Sequence, residues 1–148
     1  MTRNEAETRA ELIDPTIQQR GWTHELTKRE QTAGAVHVIH GQPRRRQGRV
    51  DYTLRVKVNR ETQPVAVALI EAKAEDKAPD HGLEQAKAYA DANRLNVPFV
   101  YSSNGHLFVE FDRTTGRTSE PCPLADFPTP DQLRQRYERA VGFSLGEE

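Results

Sequence analysis

The chain has 148 residues, 22 of them acidic against 21 Lys and Arg, for a formal net charge of −1. That length suffices for one core, and the charge balance excludes a protein that grips nucleic acid by bulk charge alone, because nonspecific affinity comes from neutralising phosphates. Cys122, the single cysteine, excludes an internal disulfide and suits a reducing compartment; no apolar run approaches the ~18 residues that cross a bilayer, and the polar, acidic N-terminus is no signal peptide.

Asn4-Glu-Ala-Glu7 has the form of a capping box opening a helix, with Ala6, Ala10, Ile13 and Ile17 spaced for one buried face. Asp14-Pro15 restarts or kinks that helix and Gly21 ends it. Residues 34–40 are expected as the first strand; His37 and His40, three apart, then face opposite sides and do not share a zinc ion. Arg44, Arg45, Arg46 and Arg49 follow, either as a basic loop between strands or as a grip on a phosphate backbone.

Asp51 through Val58 alternates, with Tyr52, Leu54, Val56 and Val58 on one face and Asp51, Thr53, Arg55 and Lys57 on the other. The turn-like connector 59–64 predicts an antiparallel hairpin with the apolar run that starts at Val65 and ends in Glu71-Ala-Lys73. Residues two apart share a strand face and lie about 6.6 Å from each other, so Glu71 and Lys73 project together. A turn centred near Glu61 pairs residues whose numbers sum to 122, placing Asp51 opposite Glu71. Such side chains sit roughly 5 Å apart at Cβ, where two carboxylates can share a divalent cation; a one-residue slip would send Asp51 to the other face. Charged residues at strand ends are ordinarily solvated surface. Two unneutralised carboxylates at about 5 Å, however, repel by roughly 3 kcal/mol at an effective dielectric near 20, with no evident structural return.

Asp80 is the expected N-cap of a helix through Leu83–Asn93, on which Gln85 and Tyr89, four apart, share a face. Val97–Tyr101 reads as a buried strand, making strand, helix and strand a parallel crossover. A final strand at His106–Asp112 is expected to return through the Ser-Ser-Asn-Gly turn. Pro121-Cys-Pro begins a linker, followed by a helix from Pro130 to Gly142.

Asp51, then Glu71-x-Lys73, then Gln85-x-x-x-Tyr89 resembles the PD-(D/E)xK nuclease constellation, in the form it takes in the N-terminal nuclease domain of type I restriction enzyme R subunits. Glu7-Thr-Arg, Leu12-Ile-Asp-Pro15, Gly21-Trp22, Ile70-Glu-Ala-Lys73, Pro98-Phe-Val, Ser103-Asn-Gly-His106 and Asp126-Phe-Pro-Thr-Pro130 resemble that family in the same order, so the likeness spans nearly the whole chain. Val50, not Pro, precedes Asp51. The resemblance implies an α/β fold of the restriction-endonuclease type: a mixed sheet flanked by helices, with an αβββαβ core plus an extra C-terminal strand. Residues 1–120 would be the nuclease-fold domain, and 121–148 a linker and helix leading toward a motor.

The resemblance also implies a Mg²⁺-dependent deoxyribonuclease, with Mn²⁺ able to substitute. Asp51, Glu71 and the backbone carbonyl of Ala72 would be its metal ligands; Lys73, Gln85 and Tyr89 complete the catalytic set. Glu7 is a possible accessory acid, an ordinary helix-cap carboxylate being the stronger reading. Arg44, Arg45, Arg46 and Arg49 are candidate DNA contacts. The implied partners are double-stranded DNA and the modification and specificity subunits of a restriction complex in a prokaryotic cytoplasm. ATP would enter only through a motor, for which this chain has no phosphate-cradling Gly-x-x-x-x-Gly-Lys-Ser/Thr loop. Two alternatives stay open: a stand-alone nuclease of the same class, and a non-catalytic nuclease-fold module coupling a motor to partner subunits.

Overall fold

A computed structural model describes residues 2–29, 36–39, 42–45, 50–56, 65–92 and 97–141, with the side chains at 29, 36–39, 42–45, 92, 140 and 141 outside the description. The capping box forms: Asn4 Oδ1 accepts from the Glu7 N–H at 2.8 Å and Glu7 Oε1 from the Asn4 N–H at 3.1 Å, opening α1 (Glu5–Thr8). The helix then widens into one π turn, Arg9–Ile13, before α2 (Asp14–Gln19). Pro15 has no N–H to donate, and the Asp14 N–H ahead of it reaches back five residues to the Arg9 carbonyl.

That extra residue rotates everything upstream. Ile13 and Ile17 are buried as their spacing predicts, but Ala6 and Ala10 are exposed. Thr8, five residues before Ile13, takes the inward position instead. Gly21, at φ 103°, ends the helix in a conformation that glycine adopts without strain.

The main sheet is built from β1 (Thr27–Arg29), β4 (Tyr52–Val56), β5 (Val65–Ala72), β6 (Phe99–Ser103), β7 (Leu107–Asp112), β8 (Arg117–Thr118) and β9 (Cys122–Pro123). Its order is β1-β4-β5-β6-β7-β8, with β9 also on β7. Of its pairs, β5 with β6 alone is parallel, as the strand–helix–strand reading requires, the intervening helix being α3 (Leu83–Ala92). The run expected as the first strand lies elsewhere: β2 (Val36–Ile39) pairs with β3 (Gln42–Arg45) in a separate two-stranded sheet. The first strand of the main sheet is Thr27-Lys-Arg29, a short, charged edge strand without apolar alternation.

Helices cover both faces, so the expected mixed α/β sheet is present. Tyr52, Leu54, Ile70, Phe99 and Tyr101 pack with Ile13, Ile17 and Trp22 from the N-terminal helices and Leu133 from α4 (Pro130–Val141). On the other face Leu69, Val97, Val100 and Val109 meet Leu83, Ala86 and Ala90 of α3. The segment expected as a linker and the helix after it are packed into this core: Leu124 and Phe127 of the one and Leu133 of the other are buried, each such side chain contributing roughly 1.5–3 kcal/mol. The Trp22 indole N–H donates to the Pro128 carbonyl at 2.8 Å, and Arg136 grips both oxygens of Glu110 at 2.6 and 2.9 Å. Among the described residues no helix is long and apolar enough to cross a membrane.

Candidate active site

The register between β4 and β5 decides the site. Tyr52 pairs with Ile70, Thr53 with Leu69 and Leu54 with Ala68, each sum being 122, and one further step brings Asp51 opposite Glu71. A bulge after Leu54 shifts the remaining pairs by one, but on the far side from the carboxylates. Asp51 and Glu71 are 3 % and 2 % exposed, and one oxygen from each, with one from Glu5 of α1, lie within 4.8 Å of one another.

Asp51 is fixed from two sides. Its Oδ2 accepts from the Ala72 N–H at 2.8 Å and its Oδ1 from Arg9 Nη1 at 2.8 Å. Glu71 is held differently, by Asp51 itself. Burial first, then the charge of Asp51, push its carboxyl up to about 9 against the opposing pull of Lys73, with a hydrogen bond to Asp51 and the charge of Glu5 adding to the rise. Glu71 Oε2 is buried and has no hydrogen-bond partner among the described residues. An unsatisfied buried oxygen costs about 1–3 kcal/mol, and neither core packing nor the strand ladder explains it.

The Lys73 N–H donates to the Ser103 carbonyl at 2.9 Å, continuing the β5–β6 ladder, and its Nζ donates to Gln85 Oε1 at 2.9 Å. Gln85, named with Lys73 in the catalytic set, is thus brought to the lysine. Tyr89 packs beside Val50, Leu69, Ala90 and Val97, bracing α3 on the sheet. The turn of α3 begins later than expected: the Gly82 carbonyl accepts from the Ala86 N–H, whereas Asp80 lies in a preceding turn and accepts from the Leu83 N–H through its carbonyl. A Cβ at Gly82 would stand 2.7 Å from Glu71 Cγ and 3.0 Å from Lys73 Cε, so this position is filled up to its backbone by the site's own side chains.

Of the two readings of Glu7, the stronger one, a helix-cap carboxylate, is what the structure shows, and the acid near the strand carboxylates is one the sequence did not single out. Glu7 is exposed and committed to the capping box, whereas Glu5 reaches Asp51 and Glu71. The capping spacing itself already engages Glu7; nothing in the helical period marks Glu5, because the π turn resets the phase. Arg44 and Arg45 have their backbone in β3 with side chains outside the described residues, and Arg46 and Arg49 lie outside the described residues.

The donor set fits a hard divalent cation. Oxygens around one Mg²⁺ sit about 2.1 Å from it and so up to about 4.2 Å apart, and the three carboxylate oxygens, within 4.8 Å of one another, lie near that spacing. Carboxylate oxygens with no cysteine or histidine among them favour Mg²⁺ or Mn²⁺ over zinc. An unpaired buried Glu71 oxygen is what such an ion would satisfy.

Glu71 also gives the fold a pH dependence. Because its folded-state pKa lies above the unfolded value, the folded protein holds a proton that the unfolded chain releases. Stability from this group is complete below the ordinary value of 4.5 and is lost as pH rises toward about 9. Without divalent ions the melting temperature should fall across that interval; Glu71→Gln should flatten the decline and raise the alkaline melting temperature by about 3 °C or more, the shift that ~1 kcal/mol brings to a domain of this size. Mg²⁺ should raise the wild-type melting temperature through preferential binding to the folded state and leave Asp51→Ala unmoved. Equal magnesium shifts in both proteins would place the ion elsewhere.

No family model matches the chain. It is 33 % identical over 86 residues to the endonuclease subunit of the type I restriction enzyme EcoAI of Escherichia coli, a match covering 56 % of this chain and 10 % of that subunit. A solved fragment from Vibrio vulnificus, provisionally assigned as the HsdR subunit of a type I restriction enzyme, shares the fold with a TM-score of 0.71 and 35 % identity over 96 % of this chain and 27 % of that one. The chain thus spans about a tenth of the curated relative's length and about a quarter of the structural one's. Sequence and structure together make it a homologue of HsdR, the endonuclease subunit of type I restriction enzymes.

Proposed function

We propose that this chain is the Mg²⁺-dependent endonuclease domain of a type I restriction enzyme R subunit, with the PD-(D/E)xK constellation at its active centre, hydrolysing phosphodiester bonds of double-stranded DNA. The observation that carries the proposal is the convergence of Asp51, Glu71, Lys73 and Gln85 from two strands and a helix on one end of the sheet. Asp51 and Glu71 would hold the cation, with the backbone carbonyl of Ala72. When bound, such an ion lowers the pKa of water and stabilises charge on the leaving oxygen.

The chain's own residues do the rest. Asp51 keeps its orientation through the Ala72 N–H, so one oxygen remains anchored whatever occupies the other. Glu71 has to give up its proton to become a ligand, which a nearby positive charge promotes and its burial resists. Lys73, with its ammonium steered by Gln85, orients or deprotonates the attacking water and offsets charge in the transition state. Tyr89 holds α3 against the sheet so that Gln85 stays within reach. The arginines at 44, 45, 46 and 49 are proposed as backbone contacts to DNA, while ATP, modification and specificity subunits would act through the rest of a restriction complex.

Plasmid cleavage tests this reading. The restriction complex containing this chain should convert supercoiled DNA with Mg²⁺ or Mn²⁺ and ATP, and the activity should be lost with EDTA and in Asp51→Ala. Cleavage that survives Asp51→Ala would move the chemistry out of this site.

A further inference from the structure

Arg9 occupies an unusual position for a residue with no part in the reaction. It opens the π turn, and its carbonyl accepts the Asp14 N–H and lies 3.4 Å from the Tyr52 hydroxyl. Tyr52, adjacent to Asp51, donates to Asp14 Oδ1 at 2.5 Å, and burial keeps that phenol protonated. The backbone at Arg9 is thus tied to the strand that carries Asp51. From there its Nη1 lies 2.8 Å from Asp51 Oδ1 and 3.5 Å from Glu5 Oε1, with the side chain 18 % exposed. One guanidinium nitrogen therefore contacts two of the three carboxylates that converge within 4.8 Å.

We propose that Arg9 is the site's built-in counter-ion, which offsets part of the charge of Asp51 and Glu5 and yields Asp51 when a divalent cation enters. This rests on the reading of Asp51 and Glu71 as cation ligands. The physical argument is competition: a divalent cation at the Asp51 oxygen that faces Arg9 and the guanidinium 2.8 Å from that oxygen carry like charge and repel at close range, whereas the other oxygen is engaged by the Ala72 N–H. A guanidinium stays charged at all accessible pH, so it cannot vacate by losing a proton and must be displaced. Arg9 then sets how much free cation the site requires, and it is a positioning residue that acts through Asp51.

Titration of Mn²⁺ into the DNA-free chain, followed by the electron paramagnetic resonance signal of the free ion, tests this with no reliance on activity. Arg9→Gln should bind Mn²⁺ about tenfold more tightly than wild type, and Arg9→Lys, which keeps a charge but loses the planar fork, a few-fold more tightly. A merely structural role would weaken binding, and unchanged or weaker affinity in Arg9→Gln overturns the proposal. Should circular dichroism show that Arg9→Gln does not fold, Arg9→Lys decides: tighter binding supports the counter-ion, equal or weaker binding overturns it. Asp51→Asn separates the two levels. If it binds Mn²⁺ as well as wild type, the cation reading itself fails and takes this inference with it; if it loses affinity while the Arg9 variants show no gain, only the counter-ion fails.

Discussion

Lys73→Ala in the assembled restriction complex is expected to lower DNA cleavage by about 10²–10³-fold, the effect of removing one preorganised charge-stabilising group from a buried site, and to leave ATP consumption unchanged. Lys73 Nζ is steered by Gln85 at 2.9 Å, and its charge pulls against the forces that keep Glu71 protonated. The alanine variant therefore loses twice: the ammonium no longer offsets transition-state charge, and Glu71 becomes still harder to ionise. ATP turnover is expected to be spared because this chain contains no phosphate-cradling loop and the role proposed for the lysine is in phosphodiester hydrolysis. Lys73→Arg divides the roles. A guanidinium keeps the charge but cannot deprotonate water, so a partly active arginine variant points to electrostatic stabilisation and an inactive one to general base catalysis. Undiminished double-strand cleavage by the Lys73→Ala complex would sink the catalytic reading and leave a nuclease-fold adaptor in its place.

How far the sequence could be read depended on where periodicity was unbroken. Strand β4 alternates cleanly from Asp51 onward and β5 is an apolar run that ends at Glu71, so a symmetric turn and a ruler of period two located both carboxylates and their register. The bulge after Leu54 is invisible in the residue pattern, yet it falls between the turn and the site and leaves the pairing that matters intact. The N-terminal helix shows the reverse. One π turn between Thr8 and Asp14 shifts the helical phase, which is why Ala6 and Ala10 face solvent and why Glu5, not Glu7, reaches the sheet. Arg9 entered only as the last residue of Glu7-Thr-Arg; its contact with Asp51 was beyond sequence reasoning for the same reason, and because that partner lies 42 residues away. Strand β1 was missed because Thr27-Lys-Arg29 owes its conformation to a single neighbour and not to its own alternation. The segment after Pro121 looks like a linker from its prolines, but Phe127 and Leu133 carry it into the core.

Gly82→Ala should reduce cleavage by about 10²-fold, the scale of loss that a misplacement near 1 Å brings, while costing the fold about 1–3 kcal/mol, as overpacked substitutions do. The glycine's backbone is tied at both ends: its N–H donates to Ser102 Oγ at 2.9 Å and its carbonyl accepts from the Ala86 N–H at 3.1 Å. It cannot retreat from an added methyl without breaking the start of α3 or unpairing the buried Ser102 hydroxyl. The methyl would meet Glu71 Cγ at 2.7 Å, Lys73 Cε at 3.0 Å and Ser102 Oγ at 3.1 Å. Lys73 can swing its partly exposed end aside, but Glu71 is 2 % exposed and its mid-chain carbon has nowhere to go without carrying the carboxylate with it. The substitution thus acts on Glu71 and Lys73 together from a position with no chemistry of its own. Thermal melting and Mn²⁺ titration of the same variant separate the effects: the melting temperature should fall by several degrees, with the affinity for the ion falling alongside the cleavage rate. A Gly82→Ala complex that cuts DNA and binds Mn²⁺ like wild type would show that the start of α3 yields to the methyl, and that the close approach of backbone to Glu71 does not set the position of the carboxylate.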